Sequence, residues 1–335
     1  MLVAVDTLSG GTALSLPRQP YLRPWYRTAN DGERLLFEHG GTVVVLEGAA
    51  LKRLVPALLP LLDGTRALEE IVAQLGAPAR PAVERALALL SGLGLLTEGP
   101  PLDELPEPFA ASAESLAATR RDGASPHTVR RRLREARVAV AGAPRLAATL
   151  TRELLRAGIG RVDHVGWEAV GLHTTHDVAV AAAGPAELGE LGDWGRRRND
   201  DGVPWLALPP FDGRLAPIGP LVVPGETACL ACYRLRRAAT SDCREELRAL
   251  EETPSSARAA TALESLVAGV AALALLRYLA GLDPTLPGSF YALDAGIPLS
   301  LSRHRVLRVP RCPACSEVDA LAAPLPWFKE VSASA

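Results

Sequence analysis

The sequence has no excess of charge of either sign. Its 36 Lys and Arg residues nearly balance 38 Asp and Glu residues, which gives a formal net charge of -2 over 335 residues. A chain of this kind has no overall electrostatic attraction to phosphate backbones or to anionic lipids. Nucleic acid is therefore disfavoured as a partner, and so is a membrane surface.

The sequence also lacks the segments that direct or anchor a protein to a membrane. Its first residues, MLVAVDTLSGG, contain no basic region and carry Asp6 within the apolar stretch, which argues against a secretory signal. The most hydrophobic segment, Leu266 to Leu276, is well short of the roughly 20 apolar residues that span a bilayer. We expect a cytoplasmic protein in which this Ala-rich segment is a buried helix, suited to close helix packing or to the interface of a homodimer.

A third absence concerns nucleotide binding. The strand-like RVAVAG at 137–142, a helix from Leu146 to Ala157 and a second strand, RVDHVG, predict a βαβ unit that opens a doubly wound α/β sheet. The glycines that let a phosphate approach the helix are missing after Gly142, and Pro144 removes one backbone donor. We therefore do not expect ATP to bind here.

The two CxxC motifs of the sequence have the spacing of a metal site. The sequence contains five cysteines, and four of them form the CxxC pairs Cys229/Cys232 and Cys312/Cys315. Two such pairs deliver four thiolates to one tetrahedral zinc ion, and no histidine is near to open a catalytic position. Disulfides are the alternative, which a reducing cytoplasm disfavours. We predict a structural zinc site and assign no role to Cys243.

The first hundred residues predict a small winged helix-turn-helix module. Short strands are expected at Trp25–Thr28, Glu33–Glu38 and Thr42–Glu47, the last two joined by a hairpin turn at Gly40-Gly41. The helices expected after them span Ala49–Leu62, Ala67–Leu75 and Pro81–Leu90.

A Pro-rich and acidic segment, EGPPLDELPEP at 98–108, marks the domain boundary. We accordingly predict a recognition domain at residues 20–98, a linker at 99–129 and an α/β domain at 130–330. Both domains would contain cores of their own, because 48% of the residues are hydrophobic.

The third predicted helix of the module is poorly suited to reading DNA. It offers only Arg85, with Arg80 just before it, and is otherwise largely Ala, Leu and Val. The strand Thr42–Leu46 would instead form a template for strand addition by an extended peptide if it lies at the sheet edge beside that helix. An ordinary core strand is the alternative, and the sequence leaves both open.

A group of titratable residues follows the predicted βαβ unit. His164, His173, His176 and Asp177 would form a catalytic or metal cluster if their side chains met. A loop with solvated side chains is the simpler interpretation, and we favour it.

Four segments together resemble one family, and the resemblance covers nearly the whole chain. They are PYLRPWYR at Pro20–Arg27, LLDG at Leu61–Gly64, GPLVVPGETACLACYRLRR at Gly219–Arg237 and PRCPAC at Pro310–Cys315. The set is similar to that of the leader-peptide-binding partner proteins of azole and azoline biosynthesis, also called Ocin-ThiF-like or cyclodehydratase C-type proteins. These act in the biosynthesis of ribosomally made, modified peptides such as bacteriocins and thiopeptides.

The resemblance implies a PqqD-like recognition element joined to a degenerate ThiF/MoeB-like adenylating-enzyme fold. The implied partners are a precursor peptide and a YcaO cyclodehydratase, which uses ATP to form azolines from Cys, Ser or Thr. In related recognition elements the leader peptide pairs with the third strand and packs on the third helix. The corresponding residues here are Thr42, Val43, Val44, Val45, Leu46, Val83, Ala86, Leu87 and Leu90.

No catalytic residue carries over from the resemblance. We therefore predict a non-catalytic subunit that captures the leader peptide and presents the core peptide to the YcaO enzyme. One alternative is an active ThiF-like enzyme that adenylates a peptide at the expense of ATP, which the missing glycines disfavour. The other is a winged-helix DNA-binding regulator, which the uncharged third helix disfavours.

Overall fold

The computed structural model describes residues 2–4, 16–32, 34–48, 54–102, 109–119, 125–251, 253 and 257–316. The chain divides into two compact units, Met1–Arg134 and Glu135–Ala335. We predicted a linker at 99–129, and the structure places a helix, Phe109–Ala118, inside that range.

The first unit contains six strands and five α-helices among its described residues. The strands are β1 (Leu2–Ala4), β2 (Pro20–Leu22), β3 (Arg27–Asn30), β4 (Arg34–His39), β5 (Thr42–Glu47) and β6 (Leu96–Glu98). The helices are α1 (Val55–Leu58), α2 (Leu68–Leu75), α3 (Arg80–Gly92), α4 (Phe109–Ala118) and α5 (Pro126–Glu135). Of the predicted helix Ala49–Leu62, residues 49–53 lie outside the described residues, and the rest forms α1 and a 3-10 turn.

The main sheet of this unit has the strand order β1-β5-β4-β3. Strands β4 and β5 form the predicted hairpin, in which His39 pairs with Thr42. The two turn residues, Gly40 and Gly41, have φ angles of +58° and +76°. A two-residue hairpin turn with both φ angles positive is type I′, which glycine adopts without steric cost.

Two of the segments that carry the family resemblance pack against each other in the first unit. The Leu22 N–H donates to the Leu62 carbonyl at 2.8 Å, and the Gly64 N–H donates to the Pro20 carbonyl at 3.1 Å. A Cβ atom on Gly64 would lie 2.9 Å from Cβ of Tyr21, so only glycine fits this approach. The PYLRPWYR and LLDG segments therefore hold the module together.

The second unit contains eight strands and five α-helices among its described residues. Its strands are β7 (Arg137–Gly142), β8 (Arg161–His164), β9 (Val178–Ala182), β10 (Trp205–Leu208), β11 (Leu215–Ile218), β12 (Leu221–Val222), β13 (Ser289–Asp294) and β14 (Ser300–Arg305). Its helices are α6 (Pro144–Arg156), α7 (Leu188–Asp201), α8 (Leu230–Ala239), α9 (Arg244–Glu251) and α10 (Thr261–Leu279).

The central sheet of the second unit has the order β12-β10-β9-β7-β8. All its pairs are parallel except β10 with β12. The predicted βαβ unit is confirmed as β7, α6 and β8. Strand β9 is buried at every residue, which is typical of a parallel strand covered on both faces. The strand order reverses between β7 and β9, the position at which doubly wound sheets bind ligands.

A second sheet in this unit, with the order β11-β13-β14, is fully antiparallel. Helix α10 contacts α6 and β11 and is long and apolar enough, by length and composition alone, to cross a membrane. Seven of its residues are buried within the unit, including Ala268, Ala271 and Leu275. This burial agrees in part with the predicted buried helix, because Leu266 and Leu273 within the predicted segment are exposed.

Candidate peptide-binding site and metal centre

The predicted peptide-binding strand, β5, lies inside its sheet rather than at the edge. Strand β4 pairs with it on one side, and β1 pairs with it in parallel on the other. The sequence left open whether β5 is an edge strand or a core strand, and the structure shows a strand that is paired on both sides. The physical reason is that the chain's own first residues take the hydrogen-bonding side that we expected a foreign peptide to use.

The side chains of β5 alternate between the core of the module and its outer face. Val44 and Leu46 are buried in the core, whereas Val43 and Val45 are half-buried on the opposite face; Thr42, at the start of the strand, is half-buried on the face of Val44. This alternation follows from the two-residue repeat of a strand. The predicted contacts on β5 are therefore of two kinds, and with the strand paired on both sides it is the outward side chains of Val43 and Val45 that are available to a partner.

Helix α3 shows the same division. Val83, Leu87 and Leu90 are no more than 3% exposed and belong to the hydrophobic core of the module. Ala86 is half-buried and packs against that core. The structure thus places three of the four predicted helix contacts inside the module and leaves Ala86 within reach of a partner. Leu89, which we did not predict, is also half-buried.

The four predicted zinc ligands come together in the second unit. The sulfur atoms of Cys229, Cys232, Cys312 and Cys315 all lie within 4.8 Å of one another. Cys229 precedes α8 and Cys232 lies in its first turn, so the helix sets the spacing of this pair.

The sulfur separations match those of a tetrahedral site. They are 3.9 Å for Cys229–Cys232, 3.6 Å for Cys229–Cys312 and 3.5 Å for Cys232–Cys315. Four thiolates at about 2.3 Å from one zinc ion would be about 3.8 Å apart. The backbone N–H of Val309 donates to the Cys232 sulfur at 3.3 Å, a contact that the sequence did not predict. The donor set is compatible with zinc.

The thiols strongly perturb one another. Hydrogen bonding from Cys229 lowers the pKa of Cys232 to about 4, and the same contact raises the pKa of Cys229. Burial raises the pKa of Cys315 to about 11. The thiolate is thus favoured at Cys232, whereas hydrogen bonding and burial disfavour it at Cys229 and burial disfavours it at Cys315. A divalent cation bound by these sulfurs would stabilise their thiolate forms.

The crevice beyond β7, β9 and β10 has a volume of about 420 Å³. Its lining includes Ala143, Pro144, Gly184 and Phe211. The Ala143 N–H donates to the Ala182 carbonyl at 2.6 Å, and Pro144 has no N–H. The N–H of Gly184 donates to the Glu187 carboxylate at 2.7 Å. Several donors that could face a phosphate are therefore engaged or missing.

The titratable residues of the GLHTTHD region form separate pairs. His173 contacts Asp201 at 2.7 Å, and His176 contacts Asp163 at 3.0 Å. His164 lies 3.2 Å from the Thr151 hydroxyl. Asp177 accepts the Arg137 N–H at 2.7 Å. Among the described residues, the four-cysteine cluster alone has the arrangement of a metal site.

Neither a protein-family model nor a curated protein matches this chain. Solved structures do match. The heterocyclase TruD has 24% identity and a TM-score of 0.69 over 90% of this chain and 43% of its own. A heterocyclase in complex with substrate and cofactor has 22% identity and a TM-score of 0.65 over 89% and 39%. The chain thus spans less than half the length of these two proteins.

A second group of matches has nearly the same length as this chain. Escherichia coli MccB has 14% identity and a TM-score of 0.61 over 89% of this chain and 97% of its own. The microcin C7 biosynthetic enzyme MccB in complex with N-formylated MccA has 13% identity and a TM-score of 0.62 over 89% and 99%.

These likenesses contradict the prediction of a non-catalytic subunit. TruD is a heterocyclase and MccB a biosynthetic enzyme, so the fold is one that enzymes use, and the prediction was wrong. It treated the missing phosphate glycines as an argument against catalysis. Those glycines concern one way of binding one cofactor and do not decide whether the fold belongs to an enzyme. The shared mixed α/β fold agrees with the predicted α/β fold class.

Proposed function

We propose that this chain binds a precursor peptide and acts with a YcaO cyclodehydratase as one peptide heterocyclase. The fold likeness to TruD over 90% of the chain carries the proposal. Because the chain spans 43% of TruD, a heterocyclase built on it needs further sequence. We assign that share to the YcaO partner. In this scheme residues 20–98 act as a PqqD-like recognition element in a cytoplasmic complex.

We place the peptide site on the hydrogen-bonding edge of β5 that faces away from β4, together with half-buried positions of α3. The backbone of Val43–Val45 would supply the hydrogen bonds of strand addition, and Ala86 with Leu89 would contact alternate side chains of the peptide. This arrangement raises the local concentration of the core peptide at the active site of the assembled heterocyclase.

The second unit supplies the metal site of this scheme. The four-cysteine cluster would hold zinc and close the fold around Cys229–Cys232 and Cys312–Cys315. The YcaO partner and a second copy of the chain would dock away from the zinc site. The product would belong to the azole-containing bacteriocins or thiopeptides.

The test is binding of the precursor peptide encoded beside this chain's gene, labelled with a fluorophore. We expect a rise in fluorescence polarisation when the labelled peptide binds the full chain. The Ala88→Asp variant, altered at an exposed position of α3, is the control and should bind equally well. Absence of binding by the folded chain would reject the proposal.

One observation favours a second function, that of an ATP-dependent enzyme acting on a peptide. MccB matches this chain over almost its whole length, and one of its structures contains ATP. Calorimetry with ATP and magnesium separates the two functions. The engaged Ala143 donor and the missing Pro144 donor lead us to expect no heat of binding.

A further inference from the structure

The hydrogen-bonding edge of β5 that faces away from β4 is already occupied by a strand of the same chain. Leu2 is in register with Val43, Val3 with Val44 and Ala4 with Val45, in a parallel arrangement. This side of β5 is also the side on which we place the precursor peptide. A peptide and β1 therefore need the same backbone donors and acceptors and cannot bind together.

The pairing of β1 is short and of the weaker type. It covers three of the six residues of β5, whereas β4 pairs with all six. Parallel pairing is slightly less stable per residue than antiparallel pairing. A peptide that paired along the whole of β5 would make a ladder about twice as long. Such a peptide can therefore displace β1 when its concentration is high enough.

The connection to the module keeps β1 close to this site. Eleven residues separate Ala4 from Leu16, where the described part of the module resumes. A short connection gives a tethered segment a local concentration on the order of millimolar. A segment that is weak by itself can therefore compete with a free peptide at much lower concentration.

We propose that residues Leu2–Ala4 are a tethered competitor that covers the peptide-binding strand until a precursor peptide displaces them. The identity of the displacing peptide rests on the proposed function, whereas the pairing of β1 with β5 does not. It implies that the docking segment of the peptide is extended and aliphatic, like the Leu-Val-Ala stretch that it replaces. It also implies that the edge is not exposed to unrelated strands when no peptide is bound.

The self-pairing is tested without any peptide, by hydrogen exchange at those N–H groups of Val43–Val45 that point away from β4, in the full chain and in a variant lacking Leu2–Ala4. We expect faster exchange in the deletion and unchanged exchange in α2 and α3. A triple alanine replacement of Asp6, Thr7 and Leu8 keeps β1 and serves as the matched control. Equal exchange at β5 in all three proteins would overturn the proposal.

A second variant guards against effects of shortening the chain. The double substitution Val3→Pro and Ala4→Pro removes two successive backbone donors. Because successive N–H groups of a strand point to opposite sides, one of the two faces β5. This variant should reproduce the faster exchange of the deletion, and native-like exchange in it would count against the proposal.

The competition is tested with two labelled peptides. A synthetic peptide of residues 2–15 should bind the deletion variant and restore protection at β5. The precursor peptide should bind the deletion about tenfold more tightly than the full chain if β1 covers the site about 90% of the time.

The two proposals fail in distinguishable ways. Equal affinity of the precursor peptide for both proteins, with protection of Val43–Val45 in each, would reject the competitor and leave the proposed function standing. Lack of precursor binding to either protein would reject the proposed function. In that case the exchange measurements alone would still decide whether β1 covers β5.

Discussion

Gly142 shows how a single residue acquires its meaning from its neighbours. In the sequence it is the remaining glycine at the position of a phosphate-binding turn. In the structure its φ angle is +102°, and a Cβ atom there would overlap the Ala182 carbonyl oxygen. The glycine therefore allows β7 to end in close contact with β9, and this role needs no nucleotide.

We expect Gly142→Ala to destabilise the second unit by at least about 1 kcal/mol, because alanine is strained at this φ angle and its methyl group clashes with backbone. Urea unfolding measures the change. The control is Gly189→Ala on α7, where a Cβ atom meets nothing within 4 Å and the φ angle is not in the left-handed region. Equal stability of Gly142→Ala and the native chain would contradict this account.

Asp163 carries a pH dependence that the structure defines. A hydrogen bond from Arg161 is the largest cause that lowers its pKa, and contact with His176 lowers it further against the opposing effect of burial. A carboxylate with a lowered folded-state pKa stabilises the fold above its unfolded pKa of about 3.9, and that stability is lost as the pH falls through the lower folded value.

Asp163→Asn should therefore lower the free energy of unfolding at pH 7 by up to about 1 kcal/mol, since the pair is partly exposed. The difference from the native chain should shrink below about pH 4, as first the unfolded carboxyl and then, at its lower pKa, the native carboxyl becomes neutral. Urea titrations at several pH values measure this. A difference that stays constant as the pH falls to about 3 would exclude the mechanism.

Among the elements, helix α3 has two roles that the sequence alone could not separate. An apolar helix beside an apolar strand fits both a core and a peptide-binding surface. The periodicity correctly located α3 and β5, but the side that each presents to the core depends on how they pack. Val83, Leu87 and Leu90 face inward, which leaves Ala86 and Leu89 partly exposed.

Substitutions on the two sides of α3 should consequently differ in kind. Leu87→Ala removes a buried side chain and should cost about 2–5 kcal/mol of stability. Ala86→Asp should cost less stability, about 1 kcal/mol, but should weaken precursor binding about tenfold, by placing a charge against an apolar peptide face. Polarisation titrations and urea unfolding measure the two effects. Full binding by Ala86→Asp would place the peptide elsewhere.

For the molecule as a whole, the cysteine pairs join segments far apart in the sequence. Cys232 and Cys315 are separated by 83 positions, yet their sulfur atoms lie 3.5 Å apart. All four ligands lie in the second unit, so a metal there contributes stability to that unit.

Cys312→Ser should lower the zinc content of the purified protein and destabilise the second unit by several kcal/mol, while the first unit keeps its native amide protection. Elemental analysis and hydrogen exchange measure these effects. Cys243→Ser is the matched control, because Cys243 is exposed and lies outside the cluster. Unaltered metal content in Cys312→Ser would show that the ligand set is wrong.

The sequence by itself determined the local features whose causes are local. The Gly40-Gly41 turn, the continuous apolar runs of β7 and β9, and the CxxC spacing each follow from a few neighbouring residues. The tertiary structure alone decided what depends on distant contacts. In the tertiary structure β1 pairs with β5, Val83 and Leu87 are buried in the core, and the Ala182 carbonyl lies against Gly142. Such contacts arise because backbone groups and apolar side chains must find partners somewhere in the fold, and a linear pattern does not specify which partner they find.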